Sequence, residues 1–219
     1  MTAVLERIRR ALGVTGAEAD RRKAVAERLA RHPPGPRPAI AEADAATLLS
    51  EFRERIEARA ATVEQVPTRG AAVAAVQSFL AQHGLAPAAV LSRALEDLDW
   101  ATLRVEARPP RPDDRVGIAS ADLAIAETGS LVFFARPESP ITLAFVPGTH
   151  IVLLPESRII GPLEGLWDYQ RAHFSELPPR AVTLVSGPSR TADIEQTIEL
   201  GAHGPKRLHV ILIGSQPSP

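Results

Sequence analysis

Cysteine is absent from all 219 residues. That excludes disulfides, a thiol nucleophile and cysteine-ligated iron–sulfur clusters within this chain. Any redox centre the protein works with must therefore belong to a partner. Lysine is nearly absent as well, with only Lys23 and Lys206 against many arginines. No run of about eighteen apolar residues is present, so no membrane span is expected. The charged start (Glu6, Arg7, Arg9, Arg10) has no apolar signal core, which predicts a cytoplasmic protein. A formal net charge of −1 provides no general attraction to nucleic acid or anionic membrane, and no nucleic-acid partner is expected. The histidines are scattered without HxH or HExxH spacing, so no metal site is expected. GxGxxG, Walker-lysine and GxSxG patterns are missing too, which removes the dinucleotide, P-loop and serine-hydrolase signatures.

Hydrophobic residues make up 45% of the chain, enough for a core, and strand-like and helix-like stretches alternate along it. Residues 1–38 read as an N-terminal helical arm followed by a Pro-rich linker beginning at His32. Residues 39–219 read as one α/β domain. Leu48, Leu49, Phe52 and Ile56 predict an amphipathic helix over Asp44 to Ala61. Val73, Val76, Phe79 and Leu80 predict another over Gly70 to His83. Strands are expected at 62–66, 87–91, 131–134, 142–146, 150–154, 181–185 and 208–213, with one helical turn near Asp122 and a helix over 161–174. This alternation predicts a three-layer α/β fold built on a mixed, mostly parallel sheet.

The most informative stretch is Ser186-Gly187-Pro188-Ser189-Arg190-Thr191-Ala192-Asp193-Ile194-Glu195, with its sequel Gly201-Ala202-His203-Gly204-Pro205-Lys206. Asp193 and Gln196 form a capping-box pattern, and Ile194, Ile198 and Leu200 suit one face of a short helix that Gly201 would stop. A loop feeding a helix N-terminus presents free N–H groups and the positive end of a dipole. Ser189, Arg190, Thr191 and Asp193 would then line an anion site, joined by His203, Gly204 and Lys206 from the following loop. The plainer alternative is that the hydroxyls and Asp193 only cap the helix.

Upstream, Glu127 lies between apolar runs and is followed by Thr128 and Gly129. It is either an exposed turn carboxylate or, with Thr128 and Gly129, part of a cleft at the sheet's edge. Glu127 and His203 are the candidate catalytic groups, suited to proton handling near neutral pH. His150 reads as a satisfied core histidine and His209 as structural.

Three blocks, Ala124–Val132, Gly187–Glu195 and Gly201–Lys206, resemble in order the LUD-domain family, and within it the LutC/YkgG lactate-utilization proteins. The resemblance covers roughly Thr62 to Gly214. One departure is Ala119, where the family pattern places threonine. The resemblance implies a NagB/RpiA/CoA-transferase-like fold. It also implies participation in L-lactate oxidation to pyruvate beside iron–sulfur partner subunits. It names no catalytic residue and no cofactor, and the matched polar positions are carried over only as a pocket for a small anionic ligand. The alternative is a stand-alone CoA-transferase- or isomerase-like enzyme acting on a phosphorylated or CoA-linked small molecule, with Glu127 as nucleophile or base.

Overall fold

The computed structural model describes residues 2–33, 35–174, 179–193, 197–201 and 203–214. The chain divides into two compact units, Met1–Arg37 and Pro38–Pro219.

The first unit holds α1 (Thr2–Leu12) and α2 (Ala19–Arg31). Glu18 closes the turn between them by accepting hydrogen bonds from the Thr15 and Gly16 N–H groups. Those bonds, the Thr15 amide foremost, hold its carboxyl down to about 2.

The second unit begins with α3 (Ala45–Glu57), which Asp44 caps by accepting from the Thr47 N–H at 2.8 Å. Phe52 and Ile56 are its fully buried positions. The helix unwinds through Ala60 at φ 68°, a left-handed position where a Cβ is unfavourable. Ala60→Gly should therefore raise stability by about 1 kcal/mol, read as a higher urea midpoint with an unchanged slope.

Then come β1 (Thr62–Val66), α4 (Ala71–Gln82), β2 (Ala88–Leu91), β3 (Arg104–Ala107) and β4 (Val116–Ser120). They are followed by β5 (Leu123–Ile125), β6 (Ser130–Phe134), β7 (Thr149–Pro155), β8 (Ile159–Ile160) and α5 (Glu164–His173). The chain ends in β9 (Val182–Val185), β10 (Arg190–Asp193), β11 (Thr197–Leu200) and β12 (Arg207–Ile213). Six strands form a parallel sheet in the order β1-β12-β7-β4-β2-β3. A second, mixed sheet runs β8-β5-β6-β9. The mainly parallel central sheet of an α/β fold is thus present, as the alternation of elements predicts.

Strand alternation assigns the layers. On β7, Val152 and Leu154 join Val210 and Leu212 of β12, Leu131 and Phe133 of β6, and Phe52 and Ile56 of α3 in one core between the sheets. Ile151, Leu153, Ile211 and Ile213 face the other way, against Val76, Phe79 and Leu80 of α4. Leu123, Ile125, Val132 and Phe134 form a third core against Leu166 of α5.

Four local expectations are corrected. The stretch around Thr142–Val146 is not a strand but a single 3-10 turn, Ile141–Ala144. Pro140 and Pro147-Gly148 bracket it, and β4 and β7 are already paired with each other. Asp122 does not start a helical turn. It precedes β5, and its buried carboxylate accepts from the Phe134 N–H at 2.8 Å and pairs with Arg136. The edge strand β3 is additional, because its alternation of Arg and Glu with small apolar residues gives little hydrophobic signal.

The fourth concerns the helix expected over Asp193 to Leu200. In its place β10 and β11 pair antiparallel, with Arg190 opposite Leu200 and Asp193 opposite Thr197. Thr191, Thr197 and Ile198 are β-branched and suit a ladder, and a helix of two turns has little stability of its own. The residues of the capping box beyond Asp193, Ile194 to Gln196, lie outside the described residues.

Candidate functional site

The turn between β5 and β6 carries Glu127-Thr128-Gly129-Ser130. Gly129 has φ 60°, and a Cβ there would lie 2.6 Å from Arg55 Cβ and 3.0 Å from the Ile56 nitrogen. Glycine therefore lets the end of α3 pack directly on this turn. The loop after β9 approaches the same helix end. A Cβ on Gly187 (φ 153°) would meet the Arg59 carbonyl oxygen at 2.8 Å. Between the two loops, the Arg59 guanidinium donates from Nη1 to the Thr128 carbonyl oxygen.

A line of hydroxyls joins the loops as well. Thr128 Oγ1 donates to Ser130 Oγ at 2.8 Å, and Ser130 Oγ lies 2.6 Å from Ser186 Oγ. Ser130 is buried, while Thr128 and Ser186 are half-buried. Ser186 directly precedes the second motif block, so the first and second blocks are brought side by side.

The third block is bound to the second through the backbone. The Ser189 N–H donates to the Pro205 carbonyl at 2.9 Å, and the Gly201 N–H donates to the Ser189 carbonyl at 2.8 Å. A Cβ on Gly204 would lie 3.1 Å from Ser189 Cβ. The loop is anchored to the turn before β7, where the Lys206 N–H donates to the Gly148 carbonyl at 2.8 Å. All three blocks thus form one continuous polar strip at the end of the central sheet where β1, β7 and β12 begin.

The individual residues sort as follows. Thr128, Gly129, Ser189 and Gly204 lie in the strip. Arg190, His203 and Lys206 belong to the same blocks and are exposed, and no side-chain hydrogen bond or ion pair among the described residues brings the three together. Thr191 and Asp193 are placed by their backbone in β10, opposite Glu199 and Thr197. With the hairpin in place of the expected helix, no helix N-terminus among the described residues serves the strip; the helix end packed on it is the C-terminal, negative end of α3. An anion held there would rest on hydroxyls, backbone N–H groups and cationic side chains.

Glu127 is turned to another element. Its Oε2 accepts from the Leu163 N–H at 2.8 Å, at the start of α5, and its own N–H donates to the Gly161 carbonyl at 3.0 Å. A carboxylate at a helix start is a stabilising arrangement in its own right. Glu127 and His203 are thus held by different elements.

Two residues gain importance from the structure. Arg59 has no local sequence signal, being one of several arginines near the end of α3. His150 is in the core as expected but is not satisfied: it is completely buried, and neither ring nitrogen has a hydrogen-bond partner among the described residues. Burial pushes its pKa down to about 3. His209 is structural as expected. It stacks on Phe79 with ring centroids 4.1 Å apart and bonds Thr62 Oγ1 through Nδ1 at 2.8 Å. Among the described residues, no group of three or more His, Cys, Asp or Glu could hold a metal ion, and no helix is long and apolar enough to cross a membrane.

A parallel six-stranded sheet backed by a second sheet, with a motif-built polar strip at one end, defines an α/β protein of LUD type. The LUD domain matches residues 49–213, and the chain belongs to that family.

Its relatives include an uncharacterized protein of Neisseria meningitidis serogroup B, 38% identical over 97 residues, covering 44% of this chain and 41% of that protein. They also include lactate utilization protein C of Geobacillus thermodenitrificans, 31% identical over 100 residues, covering 45% of this chain and 42% of that protein. Lactate utilization protein C of Bacillus subtilis is 29% identical over 103 residues, covering 46% and 43%. The matched region spans less than half the length of each of these curated relatives. A crystal structure of a DUF162 family protein from Deinococcus radiodurans has a TM-score of 0.60 at 21% identity, covering 78% of this chain and 99% of that one. At that identity the likeness is one of fold.

Proposed function

We propose that this chain is a lactate utilization protein C-like subunit that takes part in L-lactate oxidation to pyruvate. In this reading its motif strip binds a small anionic ligand, and the two electrons released pass to iron–sulfur partner proteins in the cytoplasm. The observation that carries the proposal is the meeting of all three motif blocks in one strip, joined by the Ser130–Ser186 hydroxyl contact and the Ser189 backbone bonds. Similarity to proteins named lactate utilization protein C supports the pathway. The absence of cysteine supports a subunit without a cluster of its own. The engagement of Glu127 with the start of α5 weighs against its use as a nucleophile in a stand-alone enzyme.

Deletion of the gene should abolish growth on L-lactate while leaving growth on glucose intact, and affinity capture should recover an iron–sulfur protein. In vitro, L-lactate or pyruvate should raise the unfolding temperature, with a rise that grows as the logarithm of ligand concentration over dissociation constant once that ratio exceeds one. Normal growth of the deletion strain on lactate, with no iron–sulfur protein captured, would remove the proposal.

A further inference from the structure

We infer that Arg59, at the end of α3, holds the carboxylate of the small α-hydroxy or α-keto acid that the reading above gives to this strip. The inference rests on the functional reading above and specifies its site.

Arg59 lies outside the three motif blocks, yet the fold delivers it between two of them. Its Nη1 is spent on the Thr128 carbonyl. Its backbone carbonyl and Cβ abut Gly187, where a side chain would meet them at 2.8 and 3.1 Å. The guanidinium is thereby anchored at one nitrogen, and the Arg59 backbone is packed against Gly187, while the residue stays exposed. Among the described residues no carboxylate lies within ion-pair distance of it, unlike Arg53, Arg55, Arg69 and Arg108, which are all paired.

Anchoring through Nη1 leaves the Nε–Nη2 edge of the fork, the pair of donors whose spacing matches a carboxylate in two parallel hydrogen bonds. The Thr128–Ser130–Ser186 hydroxyls begin at the residue whose carbonyl is that anchor. Hydroxyls both donate and accept, so they suit the α-oxygen of the same molecule in either oxidation state, alcohol or ketone. Lys206 and Arg190 supply charge on the strip, but among the described residues neither side chain bonds a motif backbone. The Lys206 stem packs on Gly201, but of these three cations only the Arg59 head group is hydrogen-bonded to a motif block among the described residues, and pre-positioning lowers the entropy cost of binding.

The plain alternative is that Arg59 only clamps the loops and offsets the negative end of α3. Differential scanning fluorimetry on the full chain separates the two. Wild type, Arg59→Gln and Arg59→Lys would be titrated with L-lactate, pyruvate and inorganic phosphate. Each ligand-dependent rise is measured from that variant's own unliganded midpoint, which sets aside any change in basal stability.

The expected result is a concentration-dependent rise for wild type with L-lactate and pyruvate. The apparent dissociation constant should weaken by about a hundredfold in Arg59→Gln and by about tenfold in Arg59→Lys, which keeps the charge and loses the fork. If Arg59→Gln does not fold, Arg59→Lys decides, and wild-type affinity in it would overturn the inference. Arg59→Gln with an undiminished rise would also overturn it while leaving the strip as a ligand site. Stabilisation by phosphate but by neither carboxylate would overturn the ligand class. No rise in wild type with any probe would remove the functional reading together with the inference.

Discussion

Gly129→Ala is expected to lower the thermal unfolding midpoint by about 10 °C. Two costs add at this position. The backbone sits at φ 60°, where a Cβ costs about 1–2 kcal/mol. The new methyl would also fall 2.6 Å from Arg55 Cβ and 3.0 Å from the Arg55 carbonyl carbon and the Ile56 nitrogen. Much of that wall is helix backbone, so relief requires α3 to move off the turn, an overpacking cost of about 1–3 kcal/mol. A total near 3 kcal/mol converts to about 10 °C in a protein of this size. Gly148→Ala is the control, because its Cβ would meet only the Arg115 carbonyl oxygen, at an ordinary 3.8 Å. Thermal denaturation followed by circular dichroism gives both numbers. Equal midpoints for the two variants would mean that α3 does not bear on the turn.

The second large effect is acid lability above the range where carboxylates titrate. His150 is wholly buried among apolar neighbours, with the Phe133 ring 5.6 Å away and Gly117 and Leu208 as its strand partners. Burial lowers its pKa to about 3. For His209 burial is again the main cause, assisted by the charge of His83, and brings its pKa to about 4. Each is neutral when folded and charges near 6.5 when unfolded, so the unfolded chain binds more protons in between. Stability is therefore full above about pH 7 and falls as the pH drops through 6.5 toward the folded values.

Between pH 7 and pH 5 the linkage amounts to about 2 kcal/mol for each histidine. Asp97 and Asp114, whose pKa values Arg69 and Arg108 hold below the ordinary carboxylate range, would withdraw their contribution only at lower pH. Urea unfolding at the two pH values should show a loss of about 4 kcal/mol for wild type and about 2 kcal/mol for His150→Leu. His150→Leu also removes two buried nitrogens that have no partner among the described residues, so it should be no less stable than wild type at pH 7. A pH dependence unchanged by this substitution would mean that His150 is solvated or partnered in solution.

Periodic stretches were readable from residue order, and the reason is geometric. Leu48, Leu49, Phe52 and Ile56 recur at helical spacing, and α3 buries the last two completely. The run Leu208 to Ile213 is apolar at every position but His209 because β12 lies between β1 and β7 and is covered on both faces. A hairpin stands where a helix is expected from Asp193 because a capping box is only a local pattern, and Arg190–Asp193 and Thr197–Leu200 also suit a ladder. Pairing of β10 with β11 depends on what surrounds them rather than on the box. Glu127 shows the same limit from the other side. A carboxylate between apolar runs must find a donor, but nothing nearby in sequence says that the donor is the Leu163 N–H, 36 positions on.

Composition and order were therefore sufficient to exclude cysteine-ligated clusters, disulfides and a membrane-spanning run and to indicate an α/β sheet, and the family resemblance marked three polar blocks as belonging together. Packing chose how those blocks meet and which cation stands between them. Ser130 reaches Ser186 across 56 residues, and Arg59 reaches Thr128 across 69. Contacts over such separations follow from how two sheets and α3 stack on a shared core, and a local pattern carries no record of that stacking.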